Sequence, residues 1–267
     1  MRPTAIRRTA VAATVMSLAL LSAACGSDSG DSAGKDDGKG GATSSAEPAD
    51  KGGDTSSAKA LTAAELEKVS LAQGDVKGHK VAKAGPADSI TGDAVTTDKA
   101  ACDVFADALM GAKSGTPAAS TQRRIANQPK KGGDKESDDP AEAFKAAFDI
   151  TTTLDTLSSY DGKGAEEALA GLRTAATGCA SGFTFTAAGS KQKVLKIAEV
   201  PVKGGEEAVA WTVTVEAEGE KSAMKLIEIR KGTTLASLTA LNLGASGAGG
   251  DFELPTAVID AQAAKLG

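Results

Sequence analysis

Residues 26–60 contain no Val, Ile, Leu, Met, Phe, Trp or Tyr. They are eight Gly, seven Ser, six Asp, six Ala and a few Lys, Thr and other polar residues. A segment with nothing apolar to bury cannot offset the entropy of ordering its backbone, so it builds no core. This stretch therefore divides the chain into a short leader, a disordered tether and a foldable region over 61–267. As a flexible coil the tether reaches an r.m.s. distance of about 30 Å. Its run from Asp28 to Asp37 is carboxylate-rich. It lacks the alternating spacing and closing Glu of a calcium loop, so it reads as a solvated linker.

The leader opens with Arg2, Arg7 and Arg8 and continues through an apolar or small stretch, Thr9 to Ala24. Val11, Val15, Met16, Leu18, Leu20 and Leu21 are its oily core. The stretch falls short of the ~20 residues of a helical membrane span. It matches the apolar region of an export signal. The run ends Leu20-Leu21-Ser22-Ala23-Ala24-Cys25 and is followed by Gly26, an arrangement that resembles a bacterial lipobox. The expectation is cleavage of 1–24 and lipidation of Cys25. The lipobox wants an aliphatic residue three before the Cys, where this chain has Ser22. An ordinary cleavage after Ser22-Ala23-Ala24 is the alternative. Arg7-Arg8 leaves general and twin-arginine export both open.

Without 1–24 the chain carries 27 basic and 35 acidic side chains, a net of −8. That balance argues against nucleic acid and against electrostatic adhesion to anionic lipid. Attachment to a membrane then rests on covalent lipid, with several acyl chains holding where one would not. Aromatics are 3% of the residues, with one Trp and one Tyr. Stacking platforms for sugars or single-stranded nucleic acid need more rings.

Within 61–267, Thr62 and Glu65 form a capping box ahead of Leu66, Val69 and Leu71, which predicts a helix over 62–72. A strand follows at Gly78–Ala84. Asp98 reads as the cap of a second helix carrying Cys102, Phe105 and Leu109 on one face, ended by Gly111–Pro117. Ser120–Asn127 reads as a strand and 128–140 as a charged loop. Another strand falls within Ala143–Leu157, where Phe148, Ile150 and Thr152 alternate with polar neighbours. Ala165, Ala168, Leu169, Leu172, Ala175, Ala176 and Cys179 recur at helical spacing. Phe183 and Phe185, then Val194–Val200, read as strands. Val209, Trp211, Val213, Val215 and Ala217 form one face of a long strand. Gly219 and Gly232 set off two more strands, near Ala223–Arg230 and Thr234–Leu243. Turns this short make neighbours antiparallel. Ala245–Gly250 is a glycine-rich loop, and Pro255 opens a terminal helix. The whole is an α+β domain, an antiparallel meander packed with several helices. The alternation gives the meander an outward polar face, with Thr212, Thr214, Ser237 and Thr239. That face is either solvated or the floor of a shallow groove.

Cys102 and Cys179 make an even pair in an oxidising compartment, each near an end or inner face of a helix. They are expected to be bonded; two separate buried thiols is the alternative. With one His and two such Cys, a four-ligand zinc site has too few donors. The ordered series of Asp98-Lys99-Ala100-Ala101-Cys102, a strand near Phe148–Leu157, the Ala-rich helix 162–178 into Cys179, the meander around Trp211 and a terminal helix with Gln262 resembles the PknH-type extracellular sensor domain. That family occurs on actinobacterial receptor kinases and related lipoproteins. The resemblance implies an α+β sensor fold with a ligand cleft. It supplies no catalytic residue and no named ligand.

No motif carries a reaction. A Ser-His-Asp triad would have to use His79, the only histidine, and no G-x-S-x-G elbow exists. Gly111–Thr116 lacks phosphate-loop spacing. The run Asp134, Glu136, Asp138, Asp139, Glu142 reads as a solvated loop. Trp211 reads as core, since alternation buries its ring. The sequence therefore points to a non-enzymatic, lipid-anchored binding or sensing module on the outer side of the cell membrane. It has no cofactor, and its partner is a small molecule or an envelope protein. The rivals are a cell-envelope hydrolase using two carboxylates and an assembly factor acting through protein contacts.

Overall fold

A computed structural model describes residues 58–86, 88, 90–128, 148–245 and 250–267. The leader, Cys25, the tether up to residue 57, the acidic run 134–142 and most of the loop after Ala245 lie outside the described residues. The fold is α+β, with nine strands in one antiparallel sheet.

The capping box is present. Thr62 Oγ1 accepts from Glu65 N, and the Glu65 carboxylate accepts from Thr62 N, which opens α1 (Ala63–Val69). Strands β1 (His79–Lys83) and β2 (Val95–Thr97) follow, then α2 (Asp103–Leu109), β3 (Ala119–Asn127) and β4 (Thr151–Ser159). Next come α3 (Gly164–Gly178), β5 (Phe183–Ala187), β6 (Ser190–Val200), β7 (Glu207–Ala217), β8 (Glu220–Lys231), β9 (Thr234–Asn242) and α4 (Thr256–Leu266). The strand order is β1-β3-β4-β9-β8-β7-β6-β5-β2. Glu218 and Gly219 both have positive φ, the type I′ geometry that matches the twist of a two-residue hairpin.

Four expectations need correction. Asp98 does not cap a helix: its carboxylate accepts from Thr184 N in β5, and a 3-10 turn at Ala100–Cys102 leads into α2. Thr97 organises that corner, its hydroxyl meeting Lys99 O and the Asp103 carboxylate. Phe148 and Ile150 precede β4, and Phe148 is exposed. Leu157 and Asp155, of opposite phase to them, point into the core under α1. Residues 58–60 lie against the domain: Ala58 O accepts from Gly162 N, and Ala60 N donates to Asp161.

The fourth correction concerns the polar face. Register places Val209 beside Glu228 and Glu228 beside Ser237, while Trp211, Leu226 and Thr239 form the next row. Ser237 and Thr239 therefore sit on the Trp211 side, buried, with the Thr239 hydroxyl donating to Ala108 O beneath α2. Thr212 is on the opposite side, with Lys225. The four hydroxyls share no outward face, because each hairpin partner inherits its side from the register of the strand before it.

Helices cover both sides of the sheet's centre. On one side Phe105 and Leu109 of α2 and Leu169 and Leu172 of α3 pack with Trp211 and Leu226 of the sheet. On the other, Leu66 of α1, Leu71, and Val258 and Ile259 of α4 pack with Ile227 and Leu238.

Candidate functional site

Where the sheet's centre is covered, one end is open. His79 at the start of β1, Asn127 at the end of β3, Thr151 at the start of β4 and Asn242 at the end of β9 meet the segment leading into α4. They enclose a groove of about 1080 Å³. Its floor is tied by two amides. Asn127 Oδ1 accepts from Thr151 N at 2.7 Å, and its Nδ2 donates to Asp149 O at 3.1 Å. Asn242 Nδ2 donates to Asp149 Oδ1 and Thr151 Oγ1 at 2.8 and 2.9 Å, while its Oδ1 accepts from Ala245 N. These amides spend their hydrogen-bonding capacity fastening strand ends to one another.

Phe252, Leu254 and Pro255 supply the apolar wall. Lys225 holds that wall in place. Its side chain is 4% exposed, and its ammonium donates to Thr212 Oγ1 at 2.7 Å and to Asp251 Oδ1 at 2.6 Å and lies 5.2 Å from the Phe252 ring centroid. An apolar wall with a few polar groups at the rim, Asp149, Glu253 and His79, suits binding of an organic ligand. The His79 ring bonds through Nδ1 to the Lys77 carbonyl, so no carboxylate orients it as a triad requires.

Cys102 and Cys179 are joined in a disulfide, with Cα atoms 5.9 Å apart. Both are buried, one entering α2 and the other closing α3. The bond is part of the core and lies among Phe105, Leu172 and Val95, away from the groove. Trp211 is core: it is 3% exposed and meets Phe105 edge-on, ring centroids 5.6 Å apart. Cys25 lies outside the described residues. Among the described residues no group of three or more His, Cys, Asp or Glu is placed to hold a metal ion.

Two buried carboxylates escaped the sequence reading. Asp155 is fully buried with both oxygens unpartnered, and burial pushes its carboxyl up to about 8 against the pull of Arg123. Burial likewise pushes Glu228 up to about 8, although Ser237 donates to its Oε1 at 2.7 Å. Register puts Asp155 on the α1–α4 side and Glu228 on the α2–α3 side. A pair on opposite faces of a sheet cannot flank one glycosidic bond. By contrast, the Glu67 carboxyl is held down at about 2 by hydrogen bonds from Thr121, Arg123 and Lys83.

The groove residues Asn127, Asp149 and Asn242 carried no signal of their own, nor did Lys225 behind the wall. The three converge at neighbouring strand ends, and only the strand order brings them together.

No protein-family model and no curated relative matches the chain. Among solved structures, the extracellular domain of PknH from Mycobacterium tuberculosis is similar at 15% identity, covering 78% of this chain and 95% of that one, with a TM-score of 0.41. An uncharacterised protein from Mycobacterium smegmatis, the Rv0999 ortholog, is similar at 11% identity over 71% of this chain and 88% of that one, with a TM-score of 0.32. TM-scores this low leave the fold to be argued from its own strands and helices, as above.

Proposed function

We propose that this protein is a lipid-anchored extracytoplasmic binding module, attached through Cys25 and non-catalytic, whose ligand occupies the groove at the end of the sheet. The observation that carries the reading is the buried Cys102–Cys179 disulfide, which suits an oxidising compartment. The Leu20–Cys25 run supplies the anchor and the acidic tether supplies reach. The pinned wall of the groove supplies a preformed place for a small molecule. Metabolic labelling with a fatty-acid analogue tests the anchor: label is expected on the wild-type chain and lost in Cys25→Ala, which leaves the membrane fraction still folded. An unlabelled wild-type chain would end the lipoprotein reading. Mass spectrometry of molecules retained after gentle purification tests the groove.

One observation favours a second reading. Leu241 and Leu243 are 41% and 56% exposed on one side of β9's end, near exposed Phe148. Exposed apolar side chains grouped this way suit contact with an envelope protein.

A further inference from the structure

A second cleft, of about 550 Å³, opens on the α2–α3 side of the domain. One wall is α3, where Gly164, Ala168 and Gly171 share a face and carry nothing longer than a methyl group. Facing them are Val104 of α2, which is 43% exposed, and the loop 114–118. Tyr160 forms the base. Its ring fits beneath α3 because residue 164 is glycine: a Cβ there would come within 2.7 Å of Tyr160 Cβ. Gly171 is different. A Cβ added there meets nothing within 4 Å, so no packing partner demands glycine, although glycine weakens a helix interior relative to alanine. Its effect is to keep the cleft open.

The second observation is Ser114. It lines the cleft and is only 5% exposed, yet its hydroxyl has no hydrogen-bond partner. The Tyr160 hydroxyl donates to the Ser114 carbonyl at 2.7 Å, which fixes the loop and leaves the serine Oγ unused. A buried hydroxyl is ordinarily paired, and an unpaired one invites a donor or acceptor from whatever fills the space. The charged lining residues are Asp161 and Glu167, so an anion is repelled. The smooth α3 wall and the Tyr160 ring suit a flat apolar face.

We propose that this cleft binds an uncharged, flat ring system bearing one hydroxyl-type group, which pairs with Ser114 Oγ. The site is distinct from the groove at the sheet's end and does not depend on the anchor.

The test uses the full chain carrying Cys25→Ala, oxidised and free of detergent. The probes are 2-naphthol, naphthalene and naphthalene-2-carboxylate, and affinities are followed by titration with amide shifts. Saturable binding of 2-naphthol is expected, with shifts at Val104, Ser114 and Gly171, at least about tenfold tighter than the carboxylate. Gly171→Leu fills the cleft and should weaken 2-naphthol by at least about tenfold, with a melting midpoint equal to or above that of the parent. If Gly171→Leu lowers the midpoint, Ala168→Met fills the same wall and replaces it. Ser114→Ala should bring 2-naphthol down to the affinity of naphthalene and leave naphthalene itself unchanged. Absence of saturable 2-naphthol binding overturns the proposal. So does binding that ignores the filled cleft, or a carboxylate that binds as well as the alcohol.

Discussion

The two helical layers on this sheet are held by different means. Every buried aromatic among the described residues lies on the α2–α3 side: Phe105, Tyr160, Phe183, Phe185 and Trp211. The disulfide is there too. Among the described residues the α1–α4 core holds no buried aromatic and no covalent tie; it is Leu, Ile, Val and Ala. It is fastened by polar contacts instead. Arg123 Nε donates to Leu71 O at 3.0 Å, and the same guanidinium pairs with Glu67. Gln262 Nε2 donates to Val69 O at 3.0 Å, and Lys265 pairs with Asp75 at 2.8 Å. In a chain poor in aromatics, pooling them with the cross-link makes one strong layer. The other is left to aliphatic burial and hydrogen bonds, and its α1 is too short to be stable alone.

The largest expected effect is loss of the disulfide. Cys102 and Cys179 are 77 residues apart. Chain-entropy arithmetic gives about 4.5 kcal/mol for closing a loop of that length. Replacing both with Ser should lower the unfolding free energy by roughly that amount in denaturant titration. Hydrogen exchange should show protection falling first at Phe105–Leu109 and Leu169–Cys179, with Leu66–Leu71 less affected. If the α1 side opened first, the layers would not be separable in this way.

Much of this contrast could be read in the sequence. Thr62 and Glu65 announced α1, and the periodic alanines and leucines announced α3. Gly219 and Gly232 marked the hairpins, and the two cysteines marked their own pairing. These signals are local, or depend on a bond with few choices of partner. Less legible was whatever depends on register. β2 is three residues long and exists because it pairs with β5, so no periodicity could reveal it. Asp155 and Glu228 looked like ordinary strand residues. Only the hairpin register and the helices above them make them buried. The groove was illegible for the same reason, since Asn127, Asp149 and Asn242 meet only through strand order.

A middle-sized effect tests whether the layers also share something. Each buries one carboxylate, Glu228 under α2–α3 and Asp155 under α1–α4. Both are raised to about 8 from ordinary values of 4.5 and 3.8. The folded state then holds more protons than the unfolded state between those limits. The stability from each group is complete below the unfolded value and is lost as pH rises towards about 8. The slope is at most about 1.4 kcal/mol per pH unit for each group. Glu67 acts oppositely. Its contribution is present above its unfolded value and fades as pH falls through about 2. Maximum stability should therefore fall on the acidic side of neutrality. Urea titrations at about pH 5 and about pH 8 should show the wild type less stable at the higher pH. Asp155→Asn and Glu228→Gln should each remove a share of that loss. A wild type equally stable at both values would mean that neither carboxylate is protonated in the fold.

The smallest effect probes the weaker layer at its outer end. Thr62 Oγ1 accepts from Glu65 N at 3.3 Å, and the Glu65 carboxylate returns the contact to Thr62 N at 2.9 Å and to the Thr62 hydroxyl at 2.7 Å. Two donors at the start of α1 are satisfied by this exchange, and removing the cap should cost about 1 kcal/mol. Thr62→Ala is therefore expected to lower stability by that amount, and Thr62→Ser to restore all but a few tenths. The informative readout is where protection is lost. α1 docks through Leu66, through the Glu67–Arg123 pair and through the Val69 carbonyl, which accepts from Gln262 Nε2 of α4. If these contacts hold α1 independently, exchange should quicken at Glu65 and Leu66 and remain unchanged at Leu169 and Leu172. If Thr62→Ala speeds exchange equally beneath α3, the sheet is passing the loss from one side to the other. The aromatic layer would then draw part of its stability from the aliphatic one, and the two could not be treated as separately fastened.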